Sequence, residues 1–344
     1  MSSLSRRGFL GSIGACGLVY GFGGVAFGQP TTKDIGKIAA ANQAAANGSD
    51  FLKWEEVGKG AFVAIGYGGN SLFVHGKDGG VLVDCKNAPY GPVLRRECES
   101  RGKKVLTVVN THHHADHTGG NHALSHDIEI VAHDKCTDRV LGQMNRYISQ
   151  LKEAVTTNSE LTGDAAKQVR EENIELYKNV TKLKATDFVP KVTFAQTHEI
   201  KVDGVSLKLT HFGAGHTDND IVVFDESRNI LHTGDLLFHQ SFPFVDVGSG
   251  ANSEEWQKSL RKAIKMCNAK TVVVPGHGGV TDIKGIEAQI ELFDVVRDAV
   301  AKAIKVGKSR KEVAEMKLEK YAAYERQNIS GLVFGAVFDE LSEK

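Results

Sequence analysis

Four histidines and an aspartate fall within six residues of this chain, from His112 to His117. Imidazole and carboxylate groups are ligands for zinc, and also for iron or manganese. The cluster directly follows residues 105–109, an apolar run rich in β-branched side chains that predicts a buried strand. Because ligands bind beyond the carboxyl ends of strands in open α/β sheets, we predict a metal site on this loop.

The spacing inside the cluster predicts two groups of ligands. Alternation along an extended segment places His112 and His114 on one side of the loop and His113 on the other. Asp116 and His117 follow as the chain turns, so they face the same cavity from the opposite flank. A histidine-rich surface loop is the alternative interpretation, and the full His-x-His-x-Asp-His pattern at a strand exit makes it the weaker one.

Three further strand exits each carry one residue that can bind a metal. Predicted buried strands end shortly before His216, Asp235 and His277. Any one of these residues alone is more often a hydrogen-bonded structural residue than a ligand. Together with the first loop they make a set of ligands that fits two cations about 3.5–4 Å apart.

The elements that position these residues are predicted from apolar periodicity and turn residues. Helices are predicted at residues 89–101, at 253–266 with Ser253 as N-cap, and from 286 to 344. Residues 133–186 read as a helical insertion, either a structural hairpin, or a lid or a surface for a homo-oligomer. Strands are predicted at residues 61–66, 70–75, 80–84, 105–109, 128–132, 202–212, 221–224, 229–232 and 271–274.

Composition limits the classes of partner. The chain has 344 residues, enough for one large core with appendages or for two domains. Lys plus Arg equals Asp plus Glu at 42 each, so the charge balance predicts neither nucleic acid nor an anionic membrane as partner. A small-molecule substrate is the partner that a metal site of this kind predicts.

The N-terminus resembles a twin-arginine export signal. Arg6 and Arg7 precede Gly-Phe-Leu and a weakly apolar, glycine-rich stretch that ends near Phe27. We expect a signal peptide at residues 1–28 and a leader at 29–50, and a periplasmic protein without stable membrane insertion after cleavage. A disordered start or a membrane anchor is the alternative.

Four cysteines would remain after removal of such a signal, at no zinc-finger spacing. In an oxidising periplasm they can pair, and isolated buried thiols are an equally good interpretation. They are Cys85, Cys98, Cys136 and Cys267.

At its metal-capable residues the sequence resembles the metallo-β-lactamase superfamily. The resemblance covers roughly residues 51–290, and its motifs occur in the expected order. They are Asp84 at a strand end, His112-x-His114-x-Asp116-His117, His216 in Gly-His-Thr, Asp235 in Thr-Gly-Asp and His277 in Pro-Gly-His-Gly.

This resemblance implies an α/β fold, a four-layer αβ/βα sandwich over residues 51–290 with a helical insertion at about 133–186. Residues 291–344 would form a C-terminal helical extension. The resemblance also implies two zinc ions at the rim between the sheets. His112, His114 and His216 would hold one, Asp116, His117 and His277 the other, and Asp235 would bridge them.

The resemblance further implies how the site works. Asp84 would support a ligand from outside the ligand set, and Asp116 would also act as the catalytic acid/base. The function expected is an exported hydrolase that uses a bridging hydroxide between two zinc ions to cleave a small ester, thioester, lactone or amide. A β-lactamase and a mono-iron persulfide dioxygenase-like oxygenase are the alternatives.

One departure bears on the substrate. Typical zinc β-lactamases carry Cys or Ser at the position of Asp235, whereas glyoxalase II-like hydrolases carry Asp. One lactamase subclass has a lysine just after this position to hold the carboxylate of the drug, where this chain reads Leu-Leu-Phe-His. These differences favour a hydrolase with another substrate.

Overall fold

The computed structural model describes residues 50–101, 104–157 and 162–342. The predicted signal and residues 29–49 of the predicted leader lie outside these ranges. The strands are Lys53–Gly58 (β1), Ala61–Ile65 (β2), Ser71–His75 (β3), Gly79–Val83 (β4), Lys104–Val109 (β5), Glu129–His133 (β6), Val192–Phe194 (β7), Thr197–Val202 (β8), Val205–Thr210 (β9), Val222–Asp225 (β10), Ile230–Phe238 (β11) and Val272–His277 (β12).

The α-helices alternate with these strands and cover their outer faces. They are Gly91–Ser100 (α1), Ala115–Thr118 (α2), Cys136–Leu141 (α3), Met144–Thr157 (α4), Asp164–Lys178 (α5), Ser253–Ile264 (α6), Ile283–Lys305 (α7), Arg310–Ala314 (α8) and Ser330–Ser342 (α9).

The strands form two mixed sheets. The first has the order β1-β2-β3-β4-β5-β6-β7, antiparallel up to β4 and parallel from β4 onward. The second has the order β12-β11-β10-β9-β8, in which only β11 and β12 are parallel. The carboxyl ends of β4 and β5 therefore lie side by side in the first sheet, and those of β11 and β12 in the second. These four strands lead to all the predicted ligands except His216, which follows β9.

The inner faces of the two sheets pack against each other. Val63, Val83 and Val109 of the first sheet belong to one buried cluster with Leu207 and Val274 of the second. On the outer faces, α1 covers the first sheet, while α6, α7 and α9 cover the second. This is the four-layer αβ/βα arrangement that the resemblance implied.

Several element boundaries differ from the predictions. Strands β1, β7 and β8 were not predicted, because β1 and β8 are largely polar and β7 has only three residues. Strand β11 does not end at residue 232 but continues to Phe238, since all nine of its residues are buried and show no alternation. Helix α6 is capped by Asn252 rather than by Ser253; the Asn252 side chain accepts hydrogen bonds from the backbone of Glu254 and Glu255.

The insertion between β6 and β7 contains α3, α4 and α5, whose own buried cluster includes Tyr147, Leu151 and Phe188. It begins after His133, which belongs to β6. The predicted boundary at residue 290 falls inside α7, because this helix runs without a break from Ile283 to Lys305. The C-terminal helices pack on α7 and so share the core of the second sheet.

Two further features concern the predicted environment of the chain. The four cysteines that follow the predicted signal are unpaired, and Cys85, Cys98 and Cys136 are buried. Within the described ranges, every helix is too short or too polar to cross a membrane.

Candidate metal centre

The predicted ligands meet where the parallel strand pairs of the two sheets end. Asp84 follows β4, and its backbone N–H donates to Val109 O at the end of the parallel neighbour β5. In the second sheet Asp235 lies in β11, and His277 is the last residue of its parallel neighbour β12. Backbone hydrogen bonds tie the two edges together, from Asn70 N to Gly276 O at 2.7 Å and from Ile221 N to Thr111 O at 2.8 Å.

One group of ligand atoms comes from His112, His114, His216 and Asp235. These atoms all lie within 4.8 Å of one another, which is close enough to hold one metal ion. His114 Nδ1 lies 2.8 Å from His216 Nε2, and Asp235 Oδ2 lies 3.4 Å from His216 Nε2. The three predicted histidines of the first metal are thus adjacent.

A second group comes from Asp116, His117 and His277, whose ligand atoms also lie within 4.8 Å of one another. Asp116 Oδ2 is 3.1 Å from His277 Nε2 and 3.6 Å from His117 Nε2. The side chains of Asp116 and His277 are each 24% exposed, so the centre opens to solvent on this side.

Asp235 lies between the two groups. Its Oδ1 is 3.1 Å from His117 Nε2, while its Oδ2 is 3.3 Å from His277 Nε2 and 3.4 Å from His216 Nε2. The side chain is 3% exposed. A carboxylate in this position has one oxygen available to a cation in each group.

Unpaired buried atoms show that the residues present fit cations. His112 Nε2, His117 Nε2 and Asp235 Oδ1 are buried and form no well-aligned hydrogen bond with a described residue, although His117 Nε2 and Asp235 Oδ1 lie 3.1 Å apart. Leaving such atoms unpaired is costly, and a bound cation removes that cost by coordinating them. Three histidines with one carboxylate on one side, and two histidines with carboxylates on the other, suit zinc and also iron or manganese.

The electrostatics of the centre point the same way. Burial lowers the pKa of His112 well below its usual value and that of His216 to about 3, so both rings are neutral and free to coordinate. Burial also opposes ionisation of Asp235, but His277 and His117 outweigh it and hold the pKa of the carboxyl well below its usual range. The pKa of His117 is raised, although burial lowers it, because Asp235, Asp84 and Asp116 surround the ring. This excess of carboxylate charge is what bound cations would neutralise.

Asp84 supports His117 from outside the ligand groups. It is fully buried, and its Oδ2 lies 2.7 Å from His117 Nδ1, which leaves His117 Nε2 facing the centre. Thr111 fixes the same carboxylate by donating its backbone N–H and its hydroxyl, each at 2.8 Å. Asp84 also has a positive φ of 63°, an uncommon conformation for a residue other than glycine and one that clusters at functional sites.

Asp246 has the corresponding role for His114, and the sequence did not reveal it. Its Oδ2 lies 2.8 Å from His114 Nε2, on the opposite side of the ring from His216. Burial opposes ionisation, but the hydrogen bond from His114 outweighs it and lowers the pKa of Asp246. Asp246 lies on the loop after β11 and belongs to no motif, so no pattern pointed to it.

His113 faces away from Asp235, toward Asn219 and Ser249. Its Nδ1 accepts from Asn219 Nδ2 at 2.9 Å, and its Nε2 lies 3.3 Å from Ser249 Oγ. Residues 111–113 form a bend rather than a continuation of β5. His113 therefore faces away from Asp235 because the chain bends here, and not because of the strand alternation that was predicted.

Two glycines let the backbone approach the centre closely. A Cβ on Gly69 would lie 2.1 Å from the His117 ring, and one on Gly276 would lie 2.0 Å from Asp235 Oδ1. Both distances are far below contact, so a side chain at either position would displace a predicted ligand.

The first two helices of the insertion contact two loops that carry predicted ligands, those of His216 and of His117. Arg139 pairs with Asp218 at 2.7 Å, and the Tyr147 hydroxyl lies 2.8 Å from Thr118 Oγ1. A charged cavity of about 580 Å³ lies on this side of His113, away from the ligand atoms. It is lined by His113, Lys135, Asp138, Arg139, Gly142, Gln143, Asp218 and Ser249.

Comparison with known proteins agrees with this geometry. The sequence model of the Metallo-beta-lactamase superfamily matches residues 64–277. The chain is 27% identical over 236 residues to the metallo-beta-lactamase type 2 of Bacillus cereus, covering 67% of this chain and 74% of that protein. It is 28% identical over 114 residues to the metallo-beta-lactamase type 2 of Bacteroides fragilis, covering 33% of this chain and 46% of that protein.

Among solved structures, the metallo-beta-lactamase from Pontibacter korlensis superimposes with a TM-score of 0.52 at 19% identity. The superposition covers 71% of this chain and 99% of that one, which confirms the predicted fold. The superfamily match includes all seven predicted ligands and ends at the last of them, His277. The chain is a hydrolase that belongs to the metallo-β-lactamase superfamily.

Proposed function

We propose that this protein is an exported hydrolase with two zinc ions that cleaves a small ester, thioester, lactone or amide. The observation that carries the proposal is the pair of ligand groups with Asp235 between them. Two adjacent groups of this kind suit a binuclear hydrolytic centre better than a site for a single cation. The glyoxalase II-like carboxylate at position 235 supports a substrate other than a β-lactam.

Two bound cations would supply a hydroxide nucleophile near neutral pH and polarise the substrate oxygen. Asp116 is placed to handle the proton of that reaction, because its side chain reaches both His277 and the solvent-exposed side of the centre. It can accept a hydrogen bond from the attacking water and later return a proton to the leaving group. Asp84 and Asp246 keep His117 and His114 in the orientations that this geometry needs.

The partly exposed Phe244 forms an aromatic wall beside the centre. Phe244 lies 5.8 Å from the His114 ring and 6.1 Å from the His216 ring, measured between ring centroids. Phe238 is buried and stacks on His277 at 5.1 Å, so it supports this ligand from behind the wall. This wall supports a substrate with an apolar portion beside the bond that is cleaved.

The names of the two curated relatives favour one second candidate, a β-lactamase. A β-lactam is a cyclic amide, so the same centre can attack it. The position of Asp235 and the lack of a lysine directly after it count against this candidate.

The proposed location is the periplasm, by the twin-arginine route. Arg6, Arg7 and the apolar stretch after them support this route, which carries folded proteins. If the metal centre is loaded before export, the protein must fold in the cytoplasm, and this route can then carry the folded protein.

The test is metal analysis of the purified protein, followed by a panel of thioester, lactone, phosphoester and β-lactam substrates. We expect close to two zinc ions per chain and hydrolysis of a thioester, lactone or simple ester that a chelator abolishes. Preferred turnover of β-lactams would replace the leading proposal with the second candidate. A single iron per chain with oxygen consumption would replace hydrolysis with oxygenation.

A further inference from the structure

A cation from the C-terminal extension lies beside the metal centre. The Arg326 guanidinium carbon is 5.1 Å from the centroid of the Phe238 ring. The same ring stacks on His277, with centroids 5.1 Å apart and ring planes 16° from parallel. Arg326 and a predicted metal ligand are therefore in contact with one and the same aromatic ring, although they are distant in sequence.

The backbone holds Arg326 in this place. Glu325, the residue before it, pairs with the loop that follows β11: its N–H donates to Gln240 O at 2.9 Å, and its carbonyl accepts from Phe242 N at 3.1 Å. Arg326 itself has a positive φ of 57°. A long side chain rarely adopts this conformation, and such strain persists where the surroundings fix it and clusters at functional sites.

The charge of Arg326 is not matched by an acidic partner. In residues 50–101, 104–157 and 162–342 no carboxylate forms an ion pair with it. The other arginines of the C-terminal helices do have such partners, since Arg310 pairs with Asp339 at 2.8 Å and Arg297 with Glu340 at 2.8 Å. Arg326 thus keeps its donors for a partner that is not part of the described chain.

The loop that follows Asp235 supplies no lysine or arginine to this edge of the centre. Residues 236–246, which lead away from Asp235, contain neither lysine nor arginine. The edge is also the open one, because Asp116 and His277 are partly exposed there while Asp235 is buried. A molecule that reaches the centre past His277 would pass close to Arg326.

We propose that Arg326 binds an anionic group of the substrate, so that the preferred substrates are small esters, thioesters or amides that carry a carboxylate. This inference rests on the proposed hydrolytic function. The guanidinium presents its donors in a planar fork that matches the two oxygens of a carboxylate. Phe238 beneath it orients that fork, and the scissile bond lies over the ligand groups while the carboxylate is held at Arg326.

The test compares a neutral and an anionic ester, p-nitrophenyl acetate and mono-p-nitrophenyl glutarate, on the zinc-loaded full chain. The variant is Arg326→Asn, because asparagine tolerates a positive φ. We expect kcat/KM for the anionic ester to fall by about 10-fold or more, as for loss of a hydrogen bond to a charged group, and the neutral ester to change by less than about twofold. Arg326→Lys should recover part of the loss.

Lys308→Gln is the matched control. It removes the same charge from the C-terminal extension, but Lys308 is exposed and follows the far end of α7, a helix about 34 Å long that begins just beyond His277. We expect this variant to treat both esters as the unmodified protein does.

Calorimetric titration with glutarate keeps the two proposals separate. Glutarate should bind the zinc-loaded protein about 10-fold more weakly after Arg326→Asn. If this difference appears while neither ester is hydrolysed, Arg326 binds anions and the proposed ester hydrolysis is wrong. If both esters are hydrolysed but Arg326→Asn changes neither the ester preference nor glutarate binding, the role of Arg326 is wrong and the hydrolytic function stands.

Discussion

At the scale of single residues, two carboxylates outside the ligand groups provide a matched pair. Asp84 orients His117 of the second group, and Asp246 orients His114 of the first. Asp84→Asn should lower the affinity of the second group for its cation by about 10–100-fold and leave that of the first group unchanged. Asp246→Asn should have the opposite effect. Zinc titration against a competing chelator resolves the two affinities. Equal weakening of both cations by either variant would contradict the division into two groups.

Lys86 gives a prediction about stability and pH. It is fully buried, its Nζ donates to Ala64 O and Gly69 O at 2.6 Å each, and burial lowers its pKa from 10.5 to about 7. Between these two values the unfolded chain binds a proton that the folded chain releases, so this residue's contribution to stability rises with pH. It is complete above pH 10.5 and is lost as the pH falls to about 7.

Lys86→Met should lack this rise. As the pH rises between these two pKa values, the free energy of unfolding of the unmodified protein should therefore increase relative to that of Lys86→Met. The increase should be up to about 1.4 kcal/mol per pH unit. Urea unfolding of both proteins at pH 7, 8 and 9 measures it, with Lys308→Met reporting the effect of removing an exposed lysine. A difference that stays constant with pH would show that Lys86 titrates normally.

The sequence identified the candidate ligands because each follows a recognisable strand and lies in a short motif. His112, His216 and His277 are examples, and the structure brings these side chains to one centre. Asp246, Lys86 and Arg326 were not found, because their partners are distant in sequence. Contacts such as that of Arg326 with Phe238 depend on how the C-terminal extension folds back, and no local pattern encodes it.

At the scale of elements, strong apolar runs such as β4, β5 and β12 were predicted because they are buried on both faces. Short or polar strands such as β1 and β7 were missed, since their stability comes from pairing within the sheet rather than from their own composition. The length of β11 was underestimated because all its residues are buried, so its sequence shows no alternation that would mark where the strand ends.

The insertion separates into a part that touches the metal loop and a part that does not. Arg139 and Tyr147 contact residues near the ligands, whereas α4 continues for ten residues beyond Tyr147 to Thr157. Replacing residues 156–165 by a short glycine-serine linker should change substrate range or self-association and leave the metal content unchanged. Elemental analysis and gel filtration check this, and loss of both metals would place this segment in the metal core.

At the scale of the whole molecule, location depends on the N-terminus, which lies outside the described residues. Replacing Arg6 and Arg7 by lysine should retain the protein in the cytoplasm, because the twin-arginine route reads both arginines. Fractionation of cells that express each form measures this. Unchanged periplasmic delivery would show that another signal directs the protein.

His113→Ala is the control for the central test of the metal centre. It removes an imidazole from the same cluster, but this imidazole faces Asn219 and Ser249 rather than Asp235. We expect metal content to remain nearly intact in this variant, with any loss of stability arising from the space left by the ring.

The most direct test of the account is the zinc content of the unmodified protein and of Asp235→Asn, measured together with hydrolysis. Asparagine keeps the size of the side chain but removes the charge that lies between His117 and His216. We predict close to two zinc ions per chain in the unmodified protein, close to one in Asp235→Asn, and hydrolysis reduced by at least about 10–100-fold. Two zinc ions and full activity in Asp235→Asn, with loss of metal in His113→Ala instead, would contradict the assignment of the ligands.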